Sequence, residues 1–345
     1  MKKSLSLLSI ILLTISCTLM FTSYVIADPP KVGSIVRVLY SNLGGDSYDN
    51  QASSFDMQHV RPYWKGAMLD GKLKYKLMFG FDKNFTSTNV LDAFGDFQLF
   101  KAMSVRFGQF KVPFDRQFLT PLTGLQFVNR GAGGLMAYKR DRGVMLHGAV
   151  TNLSVTYDVG IFNGTGISKG FTAKNAAGAD EKQHLFAGRL TVNPQGSYGY
   201  KLALPGKADE LKTTVGLGFA TGQIDNDSTD VLAYCFDVTA HKNGITALFE
   251  YQNREVEVSN LKTTTTGMTG QAGYFISPQL EAVGRYSSKE IKDVDKTYGI
   301  TVGVNYYFDS NNAKLQLNYT MLEKQPTIGD KLTDNKIYLL YQMIF

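Results

Sequence analysis

Lys72, Lys74 and Lys76 stand at every second position. On an extended backbone alternate side chains leave on one face, so three ammonium groups would share a surface. Arg106, Arg189, Arg285, Lys314 and Lys336 recur at the same phase of their own segments, between apolar neighbours. Asp92, Asp96, Asp158, Glu250 and Glu281 fall on the same faces. Bases exceed acids there, and such a surface beside a low-dielectric wall attracts anions. A second group, Lys111, Arg116, Arg130, Lys139, Arg140 and Arg142 with Asp115 and Asp141, crowds into 111–142. Other chemistry finds no support. His59, His147, His184 and His241 lack zinc spacing. There is no phosphate-cradling glycine loop or dinucleotide fingerprint, and no Ser–His pair with a third orienting group. Asp225-Asn226-Asp227-Ser228-Thr229-Asp230 has calcium-friendly oxygens but not the spaced Gly and closing Glu of a calcium loop. It reads as a solvated loop. No cofactor and no metal are expected.

The elements that carry these charges alternate with period two. Leu73, Tyr75, Leu77, Phe79 and Phe81 interleave with the lysines. Leu153, Val155, Tyr157, Val159 and Ile161 repeat the pattern, as do Leu315, Leu317, Tyr319 and Met321, then Ile337, Leu339, Tyr341, Met343 and Phe345. Each segment is a strand with one apolar and one polar face. About sixteen such segments are expected, with eighteen the alternative if 193–212 hides another hairpin. Composition agrees: 43% hydrophobic, 12% aromatic, 19% charged and 34 Gly. This excludes disorder and, with two Cys, a disulfide scaffold. Cys235 reads as a small strand side chain.

The first 27 residues form a separate unit. Lys2 and Lys3 precede an uncharged run from Leu5 to Ala27, ending Val25-Ile26-Ala27 before Asp28-Pro29-Pro30. This pattern describes a secretory signal peptide cleaved after Ala27. The formal charge of +6 loses Lys2 and Lys3 on cleavage and becomes +4. Spread over 28–345, that is too diffuse for a nucleic-acid surface, and no nucleic-acid partner is expected.

An exported chain of two-faced strands can be a sandwich or a transmembrane barrel. Tight connections at Asp70-Gly71, Thr151-Asn152, 241–244, Ser277-Pro278 and 309–312 alternate with longer ones at 42–53, 83–89, 112–140, 163–183, 257–264, 288–297 and 323–335. Short turns at one end and long loops at the other are a membrane-barrel pattern. A sandwich has no reason to sort them. The expectation is an all-β, closed antiparallel barrel in outer-membrane lipid, apolar face outward, with Tyr and Phe in interface girdles. Sixteen strands enclose an aqueous channel. Residues 112–140 are the candidate to narrow it. They carry Pro113, Pro121, Gly131, Gly133 and Gly134, and also Phe114, Phe118, Leu119, Leu122, Leu125, Phe127 and Val128, too much apolar surface for a solvated loop.

Phe107-Gly108-Gln109-Phe110-Lys111-Val112-Pro113-Phe114 resembles the Gly-Gln-Phe-Lys-x-Pro-Phe signature of the phosphate-selective porin O and P family. So do Leu125-Gln126-Phe127-Val128-Asn129-Arg130, Asp92-Ala93-Phe94, Arg140 to Gly148, Tyr157 to Gly164, Gly273 to Pro278 with Arg285-Tyr286-Ser287, and Gly303 to Phe308. The resemblance runs from about residue 55 to the end. It implies a sixteen-stranded, homotrimeric, anion-preferring porin of a diderm bacterium. The ending at Phe345 resembles the C-terminal strand signal of outer-membrane proteins. Where the family's second strand carries Arg-Arg-x-Arg, this chain reads Gln58-His59-Val60-Arg61, keeping only Arg61.

The anion-attracting set is therefore Arg61, Lys72, Lys74, Lys76, Arg106, Lys111, Arg116, Arg130, Arg140, Arg142, Arg189, Arg285 and Lys314. It serves passive diffusion of small hydrophilic solutes, with phosphate a candidate. A structural or adhesive surface barrel with a plugged lumen has the same exterior, and an enzymatic barrel lacks a catalytic cluster.

Overall fold

The computed structural model describes residues 29–345 apart from 49, 83–88, 133–135, 137, 151–153, 168–183, 197–198, 206–209 and 225–228. The signal-peptide segment, Gly133, Gly134, the Thr151-Asn152 turn and the Asp225 to Ser228 part of the acidic stretch lie outside the described residues.

Sixteen antiparallel strands close into one barrel. In chain order they are β1 (Lys31–Gly45), β2 (Ala52–Met68), β3 (Leu73–Gly80), β4 (Asn89–Phe100), β5 (Met103–Lys111), β6 (Arg140–Val150), β7 (Val155–Phe162) and β8 (Leu185–Val192). There follow β9 (Lys212–Ile224), β10 (Thr229–Lys242), β11 (Ile245–Val258), β12 (Leu261–Phe275), β13 (Leu280–Ile291), β14 (Asp295–Asp309), β15 (Ala313–Pro326) and β16 (Leu332–Ile344). Each pairs with its sequence neighbours, and β16 closes on β1 with Ile344 opposite Ile35. Phe345 completes the seam: Ser34 N donates to its carbonyl at 2.7 Å. Closure leaves no unpaired edge, as a lipid-spanning sheet requires.

The two-residue period sorts the side chains as expected. On β8–β10 Leu190, Leu217, Phe219 and Tyr234 face outward, with Leu217 54% exposed, while Arg189, Thr214, Asp237 and Thr239 are buried on the inner face. Among the described residues no helix is long and apolar enough to cross a membrane; crossing falls to the strands. Gly108 shows where the backbone must bend. Its φ of +118° is open to glycine and strained for other residues, and it sits where β5 leads into the 112–139 segment.

Three connections expected to be long are short. β11 and β12 meet across Ser259-Asn260 alone, both with positive φ. β13 reaches Ile291 before β14 begins at Asp295, and β15 reaches Pro326 before β16 begins at Leu332. The strands extend through polar stretches such as Thr263–Thr266, where both faces meet water and alternation vanishes. Conversely, 193–211 contains no strand among its described residues. Leu202 and Ala203 are buried instead, and both their amides donate to Gly124 O.

Candidate functional site

The 112–139 segment begins at β5 and is held by strands on the far side of the barrel, so it traverses the interior. Its first anchor is a short helix, α1 (Arg116–Leu119), capped by Asp115, whose Oδ1 accepts from Phe118 N at 2.7 Å. A helix start leaves amides without partners. Glu250 of β11 takes them: Oε2 accepts from Arg116 N at 2.9 Å and Gln117 N at 3.1 Å, and Oε1 from Gln117 Nε2 at 2.8 Å. The other end exposes carbonyls, and cations complement them. Lys111 Nζ donates to Phe118 O, Leu119 O and Thr120 O at 2.7, 3.0 and 3.3 Å. Arg130 donates from Nε to Gln117 O at 2.8 Å and from Nη2 to Thr120 O at 3.1 Å.

Beyond α1 the chain is stitched to β12–β16. Gln126 Nε2 donates to Glu281 Oε1 at 2.7 Å, and Asn305 and Gln316 donate to Gln126 O at 2.8 and 2.9 Å. Lys314 Nζ donates to Leu125 O at 2.7 Å, and Val128 N to Asn318 Oδ1 at 2.8 Å. Arg285 Nη1 donates to Asn129 O at 2.6 Å, and its guanidinium lies 4.4 Å over Phe127. The 125–130 stretch of the resemblance is thus the docking strip.

On the opposite side the segment leaves a passage of about 660 Å³ against the β1–β7 wall. Asp92 is shared there by Lys76 at 2.7 Å and Arg140 at 2.6 Å. Asp96 holds Arg106 and His147, and Asp82 holds Arg61 and His59. Asp82 lies outside the strands. Burial opposes its ionisation, but hydrogen bonds from His59 and Arg61 hold its carboxyl down at about 2. Arg37 of β1 is fully buried and lines this passage. Its Nη2 donates to Val128 O at 3.1 Å, while Nε and Nη1 find no partner among the described residues. Eight basic residues line the passage against Asp92 and Asp158. Counting Asp82 and Asp96 as well leaves the bases in excess.

The thirteen sequence candidates therefore divide. Arg61, Lys76, Arg106, Lys111, Arg130 and Arg140 come together at the passage. Lys74 is exposed on β3, opposite Asp96 in register, and Lys72 lies exposed in the turn before it. Arg116, Arg189, Arg285 and Lys314 stand elsewhere, as fasteners. Arg189 binds Asp237 at 2.5 Å and Phe114 O at 2.9 Å. Arg116 reaches Gly199 O at 3.1 Å and lies over Tyr200. Arg142 ties Thr165 Oγ1 and Gly166 O, beyond β7. Arg37 was absent from the sequence set, although Val36 and Val38 on either side mark it as inward-facing. Cys235, Asp237 and Glu250 lie within 4.8 Å of one another. Both carboxylates are already bound, by Arg189 and by the α1 amides.

Residues 31–336 match phosphate-selective porin O and P. The chain belongs to this family. It is an outer-membrane porin, a channel for small solutes. Solved structures with the same fold include the anion-selective porin of Comamonas acidovorans, 13% identical, with a TM-score of 0.68 over 92% of this porin and 99% of that chain. The outer membrane channel DcaP of Acinetobacter baumannii is 13% identical, with a TM-score of 0.62 over 92% and 97%. OmpT of Vibrio cholerae in a trimer form is 15% identical, with a TM-score of 0.60 over 91% and 100%. No curated sequence matches significantly.

Proposed function

We propose that this porin passes small hydrophilic anions, inorganic phosphate among them, between the 112–139 segment and the β1–β7 wall. The segment narrows the barrel to this passage, and the basic excess biases what enters. The observation that carries the reading is the lining itself, eight Lys and Arg side chains against Asp92 and Asp158. Such an excess beside a low-dielectric wall focuses a field that draws anions in. Arg37, Arg61, Lys76, Arg106, Lys111, Arg130 and Arg140 are each also shared with an acid or a carbonyl, so no single site binds tightly and solutes can leave.

Reversal potential in a KCl gradient across a planar bilayer tests this. Chloride preference is expected, and potassium preference would refute it. Reduced chloride current on adding millimolar phosphate would extend the preference to phosphate. We infer further that leader 1–27 is removed and that the barrel is a homotrimer. Family likeness supports the trimer, as does apolar surface on β1 and β2, where Phe55 is 80% exposed. Light scattering of the detergent-solubilised protein checks its mass.

A further inference from the structure

The passage has two unlike sides. The β1–β6 side carries Arg37, Arg61, Lys76, Arg106 and Arg140. The facing edge of the 112–139 segment presents Phe118, Leu119 and Leu122, half-buried, and Pro121, exposed, all lining the passage. The local backbone adds little polarity. The carbonyls of 118–120 are taken by Lys111 and Arg130. Pro121 has no N–H, and its carbonyl accepts from Gly124 N at 2.9 Å. Between Lys111 and the Asn129-Arg130 pair, the edge is therefore a strip of carbon facing guanidinium and ammonium groups. Lys111 and Arg130 lie over the Phe118 ring at 5.2 and 4.9 Å, so charge and carbon surface adjoin. Ile35, Met78 and Phe94 add apolar contact between the cations of the wall.

A solute crossing here loses hydration on the carbon side and gains nothing there unless it is itself apolar on that side. An inorganic oxyanion is polar all round. A carboxylate with a hydrocarbon body matches both sides. The geometry points to amphipathic organic anions, monocarboxylates with an aliphatic or aromatic body, as the preferred solutes of this passage. This rests on the anion-preferring reading above and names its solute class.

Block of chloride current by a homologous series tests it. Acetate, butyrate and hexanoate are added, fully ionised at pH 8, to the full-length porin in a bilayer. A merely water-filled pore excludes the longer chains more. Contact with the carbon strip predicts the reverse: the half-blocking concentration falls about tenfold from acetate to hexanoate, well short of full burial of four methylenes. A flat or rising series in a channel that still prefers chloride over potassium overturns this inference and leaves the anion reading standing. Potassium preference overturns both. The double variant Leu119→Asn/Leu122→Asn should flatten the series while the chloride reversal potential keeps its sign. An undiminished series in that variant places the contact elsewhere and also overturns the inference.

Discussion

Asp92 and Glu250 are both buried carboxylates on the inner wall, and they hold different partners. Asp92 binds two cations, Lys76 and Arg140, at the edge of the passage. Glu250 binds amides: those of Arg116, Gln117 and the Gln117 and Gln252 side chains. Around Asp92 the wall borders the cavity, and its charges set a field there. Around Glu250 the wall is dry, and its polar groups fix the 112–139 segment in place. Burying a charge without a partner is costly, so the dry half gives Glu250 and Glu281 several donors each. A residue's type on the inner face does not say which task it performs. Arg106 and Arg189 are both inward arginines, yet one lines the passage and the other grips Phe114 O.

The largest expected effect breaks the dry half. Glu250→Ala leaves the α1 amides buried and unpaired, at a cost of about 3 kcal/mol. Urea unfolding in detergent, followed by the single tryptophan, Trp64, measures the loss. Single-channel traces should become noisier and larger in amplitude as the segment loosens. An unaltered channel would mean that Glu250 does not hold it.

On the open side the effect falls on selectivity. Arg37→Met should lower the chloride-to-potassium permeability ratio about twofold by removing one focused charge. Stability should change less than in Glu250→Ala. An equal loss of stability in both variants would erase the distinction between the two halves.

The two sides also respond to acid with opposite sign. Burial raises the Asp115 carboxyl to about 6, against the hydrogen bond from Phe118 N. Its contribution to stability is full below about pH 4, the unfolded value, and is lost as the pH rises through about 6. Asp82, held at about 2, contributes above about pH 4 and loses that contribution as the pH falls toward 2. Asp115→Asn should therefore stabilise by about 1–2 kcal/mol at pH 7.5 and have little effect at pH 4. Asp82→Asn should destabilise at pH 7.5. Unfolding midpoints at the two pH values check both signs.

The smallest effect is expected where the strands rise into water. Lys262 pairs with Glu255 at 2.6 Å, with both side chains substantially exposed. Lys262→Ala should leave the unfolding midpoint unchanged in the same assay.

The strand period alone separated inward from outward side chains. It did so because lipid and water impose opposite demands on alternate residues, as Leu217 and Asp237 show on their respective faces. Sixteen strands, the traversing segment with its excess of apolar residues, and the lumen position of Lys76, Asp92 and Arg106 were legible for that reason. The reach of β11 and β12 toward Ser259-Asn260 was not, because strands standing clear of the membrane lose their apolar face. Nor was the inward fold of 193–211, whose Leu202 and Ala203 dock on Gly124 rather than pairing as strands.

What the chain determines locally, then, is which face each residue presents and where the barrel closes. Tertiary structure decides which inward cations line the cavity. Arg285 and Lys314 share the phase of Lys76, but β13 and β15 lie where the 125–130 strip lands, and unpaired carbonyls there claim their donors. A backbone group shut away from water must find a partner. The landing of that segment on β13 and β15, which no local pattern encodes, thus divides one ring of bases into fasteners on one side and a cavity lining on the other.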